Sequence, residues 1–159
     1  MVEIFCYQRG NQNQMTTLLD GDIPLVSAKN VNNGLKRFAS SNGKKKYKAG
    51  TISLNNDGDG GVGMAYYQPH EYLLDSHCTA LQSKTDISPA VKLFICVCIA
   101  KQRSLFSHGR AISEERLKKL TVVLPVNEEG LPNYRYMNLY GNSIMKQMYS
   151  SYLDYCNTL

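Results

Sequence analysis

One change of pattern, at Ser88, constrains what this chain can fold into more than any other feature. Before it, apolar residues come in short runs separated by turn-forming residues, the spacing of strands. Strands are expected at residues 2–7, 24–28, 35–39, 51–54, 62–68, 72–74 and 77–82. Asn32-Asn33-Gly34 reads as a tight hairpin turn, because Asn-Gly accepts the positive φ angles such a turn requires. Residues 55–61 form a glycine-rich connection, and Pro69 closes the strand after it. From Ser88 the pattern turns helical. Ser88 is a good N-cap, Pro89 suits the first turn, and residues 91–100 are apolar almost all round. A buried helix is therefore expected from there to about Phe106. Residues 108–110 read as a loop, and Ser113 caps a short helix. Its Glu114 and Glu115 at the start and Lys118 and Lys119 at the end match the helix dipole.

Residues 121–125 read as a last β-like segment, and 127–132 as a linker containing Gly130 and Pro132. Tyr134–Cys156 then carries Met137, Tyr140, Ile144, Met148, Tyr152 and Tyr155 at helical steps. Gly141 weakens that helix by about 1 kcal/mol relative to alanine. The expected class is α+β: a short-stranded mixed or antiparallel sheet packed with a buried helix, followed by a C-terminal helix. Residues 1–126 form the compact domain and 127–159 the linker and terminal helix. The apolar stripe of that helix needs a surface: its own domain, a second copy, or further chain.

A single domain of 159 residues buries roughly two-thirds of its unfolded surface, so a core can form without metals or disulfides. The five cysteines, Cys6, Cys78, Cys96, Cys98 and Cys156, are odd in number and show no CxxC spacing. Neither a disulfide framework nor a metal site is expected from them. The first residues lack a basic region followed by a long apolar stretch, so no signal peptide is read. The longest apolar run is broken by Lys92 and falls far short of the roughly 20 residues that span a bilayer. A reducing cytoplasm is the expected compartment.

Net charge is +5, and its placement matters more than its size. Between Ile23 and Asn56 lie Lys29, Lys36, Arg37, Lys44, Lys45, Lys46 and Lys48, with no acidic residue among them. A second basic group holds Lys101, Arg103, Arg110, Arg116, Lys118 and Lys119, diluted by Glu114 and Glu115. Segregated positive charge fits a nucleic-acid binder, since neutralised phosphates release counterions. It fits a solvated lysine face equally well.

The motifs that suggest catalysis or cofactors lack their context. Gly58-x-Gly60-x-x-Gly63 matches a dinucleotide fingerprint, but a strand ended by proline follows where a helix N-terminus is required. Asn55-x-Asp57-x-Asp59-Gly60 resembles half a calcium loop, yet Tyr66 stands where a bidentate Glu is needed. His70, His77 and His108 have no metal-ligand spacing, and neither a GxSxG elbow nor a phosphate-binding loop occurs.

Three segments together resemble one family. Ile23-Pro-Leu-Val-Ser-Ala-Lys-Asn-Val-Asn-Asn-Gly34 resembles the opening of target-recognition domains in restriction–modification specificity (S) subunits of type I and their type IIB-like relatives. Thr51-Ile-Ser-Leu-Asn-Asn-Asp-Gly58, running into Gly63-Met-Ala-Tyr-Tyr-Gln-Pro69, is similar to their central hairpin. The segment from His108 to Leu120, ending in Val123-Leu-Pro-Val126, resembles their closing element, and residues 127–137 the lead-in to a helical spacer. The resemblance covers roughly residues 2 to 140 in order.

The resemblance implies a DNA target-recognition domain over 1–126 and the start of a helical spacer or dimerisation helix over 127–159. Such a domain would bind a double-stranded DNA half-site and direct methyltransferase and endonuclease partners, with no catalysis and no cofactor of its own. An S-adenosylmethionine or magnesium site would belong to the partner enzyme. Full subunits carry two such domains on paired helices. One domain here fits a half-subunit that dimerises through its C-terminal helix, a fragment, or part of a fused enzyme.

For contacts, Lys44, Lys45, Lys46 and Lys48 are expected on phosphates, where they would position the domain without reading sequence. Lys29, Asn30, Asn32 and Asn33 in the first loop, the same lysines, and Arg103 and Arg110 near the third segment are candidates for base edges. Structural roles stand beside these. Asn32 and Asn33 also suit a plain turn, and Asn55, Asn56 and Asp57 suit holding a loop together. His77 reads as a partly buried strand residue, and Arg110 and Arg116 can pair with Glu114 or Glu115 for roughly 0–1 kcal/mol. Two readings outside the family stay open: a protein-interaction module docking on a partner subunit, and a small nuclease or hydrolase.

Overall fold

Strand β4 (Thr51–Asn55) is buried along its whole length, and its alternation decides how the layers stack. Ile52 and Leu54 enter one core with Phe5, Leu81, Val91, Ile95 and Ile99. By the two-residue period of a strand, Thr51, Ser53 and Asn55 face the other way. The computed structural model describes residues 1–58, 61–106 and 110–158. In it, β1 (Phe5–Arg9), β7 (Cys78–Ser83), β4 and β5 (Ala65–Gln68) form an antiparallel sheet in that order. A second sheet has the order β3 (Leu35–Ala39), β2 (Ile23–Val26), β6 (Leu73–Leu74), with β2 antiparallel to β3 and parallel to β6. The α+β class with mixed and antiparallel pairing is as expected, divided into two small sheets.

The second sheet covers the face of the first that β4 lines with polar groups. Val26, Tyr47, Tyr72 and Leu74 meet Cys78 and Ala80 there. Between the layers Thr51 and Tyr72 hydroxyls lie 2.8 Å apart, and Gln68 Nε2 donates to Ser53 Oγ at 2.9 Å. Burial raises the Tyr72 hydroxyl above its ordinary pKa. Each polar side chain of the row thus gains a partner, which a buried polar group requires.

Helix α1 (Pro89–Ala100) covers the opposite face, with the Ser88 hydroxyl accepting from Val91 N at 3.3 Å. It stops at Ala100, short of the expected Phe106. A 3₁₀ turn at Arg103–Leu105 follows and brings Arg103 and Phe106 against Gly63. A Cβ on Gly63 would stand 3.2 Å from a side-chain atom of each, and its φ is +76°. Helix α2 (Glu114–Lys119) is capped by Ser113 as read, with Leu117 in the core. Residues 121–125 form no strand, and nearby pairing is limited to an isolated bridge between Val126 and Pro132. The expected loop at His108 and Gly109 lies outside the described residues.

Helix α3 (Tyr134–Cys156) starts at Asn133, whose Oδ1 accepts from Tyr136 N at 2.9 Å. Its first turns pack on α1. Met137 is buried in the α1 core, and the Ser88 hydroxyl donates to Asn138 Oδ1. At Gly141 the crossing is so close that a Cβ would lie 2.9 Å from the Ala90 carbonyl oxygen. The stripe then runs out from under the domain: exposure is 0% at Met137, 49% at Tyr140 and 68% at Met148. No helix among the described residues is long and apolar enough to cross a membrane.

Candidate functional site

The first loop, residues 27–34, joins β2 to β3 and is longer than the two-residue turn its Asn-Gly ending suggests. Asn32 and Asn33 adopt φ of +53° and +54°, and Gly34 +76°, so the left-handed stretch is real. Asparagine tolerates that region better than most side chains. The loop lies along β5, the outer strand of its sheet. Asn33 Nδ2 donates to the Tyr67 carbonyl at 3.0 Å, and Gln68 Nε2 donates to the Asn33 carbonyl at 3.1 Å. The Lys29 carbonyl accepts from Asn55 Nδ2 at 2.8 Å and from the Tyr66 hydroxyl at 3.3 Å. Lys29 Nζ donates to the Leu35 carbonyl at 3.2 Å. The side chains of Lys29 and Asn33 therefore shape the loop. Those of Asn30 and Asn32 are exposed, without a hydrogen bond among the described residues.

The β4–β5 loop packs against this first loop. A Cβ on Gly61 would come within 2.4 Å of the Ala28 carbonyl oxygen, so only glycine fits there. Asn56 is buried and donates through Nδ2 to Thr79 Oγ1 at 2.8 Å. Asn55 and Asn56 thus hold the loop together. Asp57 lies 4.0 Å from Arg9 and 3.9 Å from His77. His77 departs from the expected half-buried strand position: it is exposed, in the turn before β7. The buried Asp75 sets that turn by accepting from His77 N at 3.1 Å, with His77 Nδ1 at 3.0 Å. Gly58 and Gly63 have positive φ, but strand β5 follows them where the fingerprint requires a helix. Gly60 of that fingerprint, and Asp59 and Gly60 of the calcium-like run, lie outside the described residues.

Arg103 joins the same region from the end of α1, donating through Nε to the Val62 carbonyl at 3.3 Å. Burial raises the pKa of the nearby Tyr66 hydroxyl, and the Arg103 charge opposes that rise. The fold therefore gathers Lys29, Asn30, Asn32, Asn33 and Arg103 around the β4–β5 loop. Arg9, at the end of β1, joins them through Asp57. Nothing in the sequence flagged Arg9, because its neighbourhood depends on strand register. Arg110 is exposed. The Arg116 guanidinium donates to the Ala111 carbonyl at 2.7 Å, and Glu114 pairs with Lys118 at 2.7 Å, so both take partners other than the expected Arg–Glu pairing.

Lys44, Lys45, Lys46 and Lys48 sit elsewhere. Thr51, at the start of β4, donates to the Lys48 carbonyl at 2.9 Å, whereas Asn55, at its end, reaches Lys29. Strand rise separates the two groups by on the order of 13 Å along β4. All four lysines are exposed. Lys46 Nζ lies 3.1 Å from Glu71, and Lys45 Nζ stands 5.5 Å from the Tyr47 ring centre. Asn30, Asn32, Arg110 and the four lysines thus present exposed donors, while Lys29, Asn33 and Arg103 bond within the hydrogen-bonded frame. All five cysteines are free thiols, and burial raises the pKa of Cys78 and Cys96.

Residues 2–151 match the family described as the type I restriction modification DNA specificity domain. Over 141 residues, 88% of this chain, the sequence is 27% identical to the type II restriction enzyme specificity subunit S.BcgI of Heyndrickxia coagulans. The fold is similar to the type I restriction-modification S subunit of M. genitalium, with TM-score 0.63, 17% identity and 98% of this chain covered. It is also similar to the HsdS subunit of Thermoanaerobacter tengcongensis, with TM-score 0.65, 18% identity and 93% of this chain covered. The chain spans 40% of the length of S.BcgI, and 40% and 37% of those two solved chains. With its family match running almost end to end, the chain belongs to the type I restriction modification DNA specificity domain family.

Proposed function

We propose that this chain reads a DNA sequence for a restriction–modification system, binding a duplex half-site and directing methyltransferase and endonuclease partners without catalysing their reactions. The family match over residues 2–151 carries this reading. The exposed donors support it. Lysines at 44, 45, 46 and 48 would hold phosphates, while Asn30, Asn32 and Arg110 offer hydrogen bonds that can read base edges. A further solved structure, of a type I system and its complex assembly, is similar at TM-score 0.68 and 17% identity, which fits a domain that works within a larger complex. Under this reading residues 1–126 recognise DNA, 127–159 begin the helical spacer, and the protein works in the cytoplasm. The second half-site would fall to a second copy paired through α3 or to further chain.

The test is repeated selection from a randomised duplex pool at two salt concentrations. Enrichment of a short motif, bound more weakly at the higher salt, is the expected result. Salt-sensitive retention with no enrichment would overturn sequence reading by this chain. No retention at the lower salt would overturn DNA binding and leave a protein-docking module.

A further inference from the structure

At the Thr51 end of β4 lies a polar hollow of about 310 Å³, lined by Lys48, Lys84 and Lys92 together with Ser83, Thr85 and Asp86. The three lysines come from three separate segments: the β3–β4 loop, the β7–α1 connection and α1. Lys92 is the one charged residue of α1, and it is half-buried on a helix whose other residues are apolar. A Cβ on Gly50 would lie 3.7 Å from its ammonium, and Gly50 has φ +76°. None of the three ammonium groups makes an ion pair or side-chain hydrogen bond among the described residues, and Asp86 pairs with none of them. Three like charges around one hollow repel each other, and their single nearby carboxylate offsets only part of that.

We propose that Lys48, Lys84 and Lys92 form one phosphate-holding site for the backbone of bound duplex, an inference that rests on the DNA reading above. Lysine serves phosphate as a point charge, and the Ser83 and Thr85 hydroxyls can donate to further phosphate oxygens. The site shares Lys48 with the basic run at residues 44–48 and adds Lys84 and Lys92 to it. Lys84 and Lys92 are too far apart in sequence from that run to be grouped with it before the fold is known. Their role is to position the duplex, so they contribute affinity and salt dependence but no base preference.

The test compares the complete protein with its Lys84→Gln/Lys92→Met variant, in which methionine keeps an apolar stem on α1. Duplex affinity is titrated over a range of salt. The variant is expected to bind every duplex more weakly, with the log–log salt slope flatter by about one to two and the ranking of sequences unchanged. Acetylation footprinting of the unaltered protein reads the same site without a mutation. Lys48, Lys84 and Lys92 are expected to be shielded when duplex is present. An unchanged slope with three reactive lysines, on a protein that still binds DNA with salt dependence, overturns the site and leaves the DNA reading standing. Failure of the unaltered protein to bind duplex overturns both. Shielding by a protein partner alone, without DNA, assigns the hollow to an acidic protein surface and overturns the proposal.

Discussion

Asn33 is where a residue chosen for its donor chemistry turns out to be occupied. Its side-chain amide reaches the Tyr67 carbonyl at 3.0 Å, and its backbone sits at φ +54°. Asn33→Ala removes the hydrogen bond and places a less tolerant residue in the left-handed region, so a loss of about 1–2 kcal/mol is expected. Asn33→Gly relaxes the backbone but not the bond, and should cost less. Urea denaturation of the two variants checks the order. An Asn33→Ala protein as stable as its parent, with an altered base preference, would return Asn33 to the readers. The turn itself was legible, because Asn32-Asn33-Gly34 is composed for positive φ. The use of the amide was not, since its partner lies 34 residues away and the pairing depends on how the loop meets β5. Lys29 was hidden differently, since its ammonium turns back onto the Leu35 carbonyl only six residues on, whereas Asn30 and Asn32 keep the exposure their sequence suggests.

Among the elements, α3 sets propensity against packing at one position. In an isolated helix, Gly141→Ala would gain about 1 kcal/mol. Here the added Cβ meets the Ala90 carbonyl oxygen at 2.9 Å and the Ala90 Cβ at 3.1 Å, on a backbone that cannot rotate away. The crossing of α3 over α1 must open, and a net loss of about 1–3 kcal/mol is expected. Thermal unfolding would show it as a fall in Tm. A rise would mean that α3 does not sit on α1 at this distance. The limits of α3 and the start of α1 could be read from sequence, because a stripe and a Ser-Pro cap are local signals. The end of α1 could not, since the turn there serves a contact with Gly63 about forty residues earlier in the chain. Residues 121–125 show the converse: a strand-like composition there forms no strand, because pairing to a neighbour and not composition makes one.

For the whole molecule, the unresolved demand is the apolar surface that α3 carries away from the domain. Leu93 and Val97 on α1, with Tyr67 on β5, face Ile144 and Met148 of α3 across a groove of about 680 Å³. Beyond it Tyr149, Tyr152, Leu153 and Tyr155 are all exposed. A helix of 23 residues is about 35 Å long, and only its first turns are buried by this chain. A second α3 laid against it would cover the remaining stripe, as the proposed pairing of two copies requires. Under that proposal the chain self-associates, and Met148→Glu with Tyr152→Glu keeps it monomeric. Both positions are exposed at more than 60%, so the variant should retain its fold. Sedimentation equilibrium with circular dichroism separates the outcomes. A dimer that the double variant abolishes at unchanged helicity supports pairing through α3. A parent that stays monomeric at every concentration would sink it, and would assign the cover to further chain or to a partner subunit.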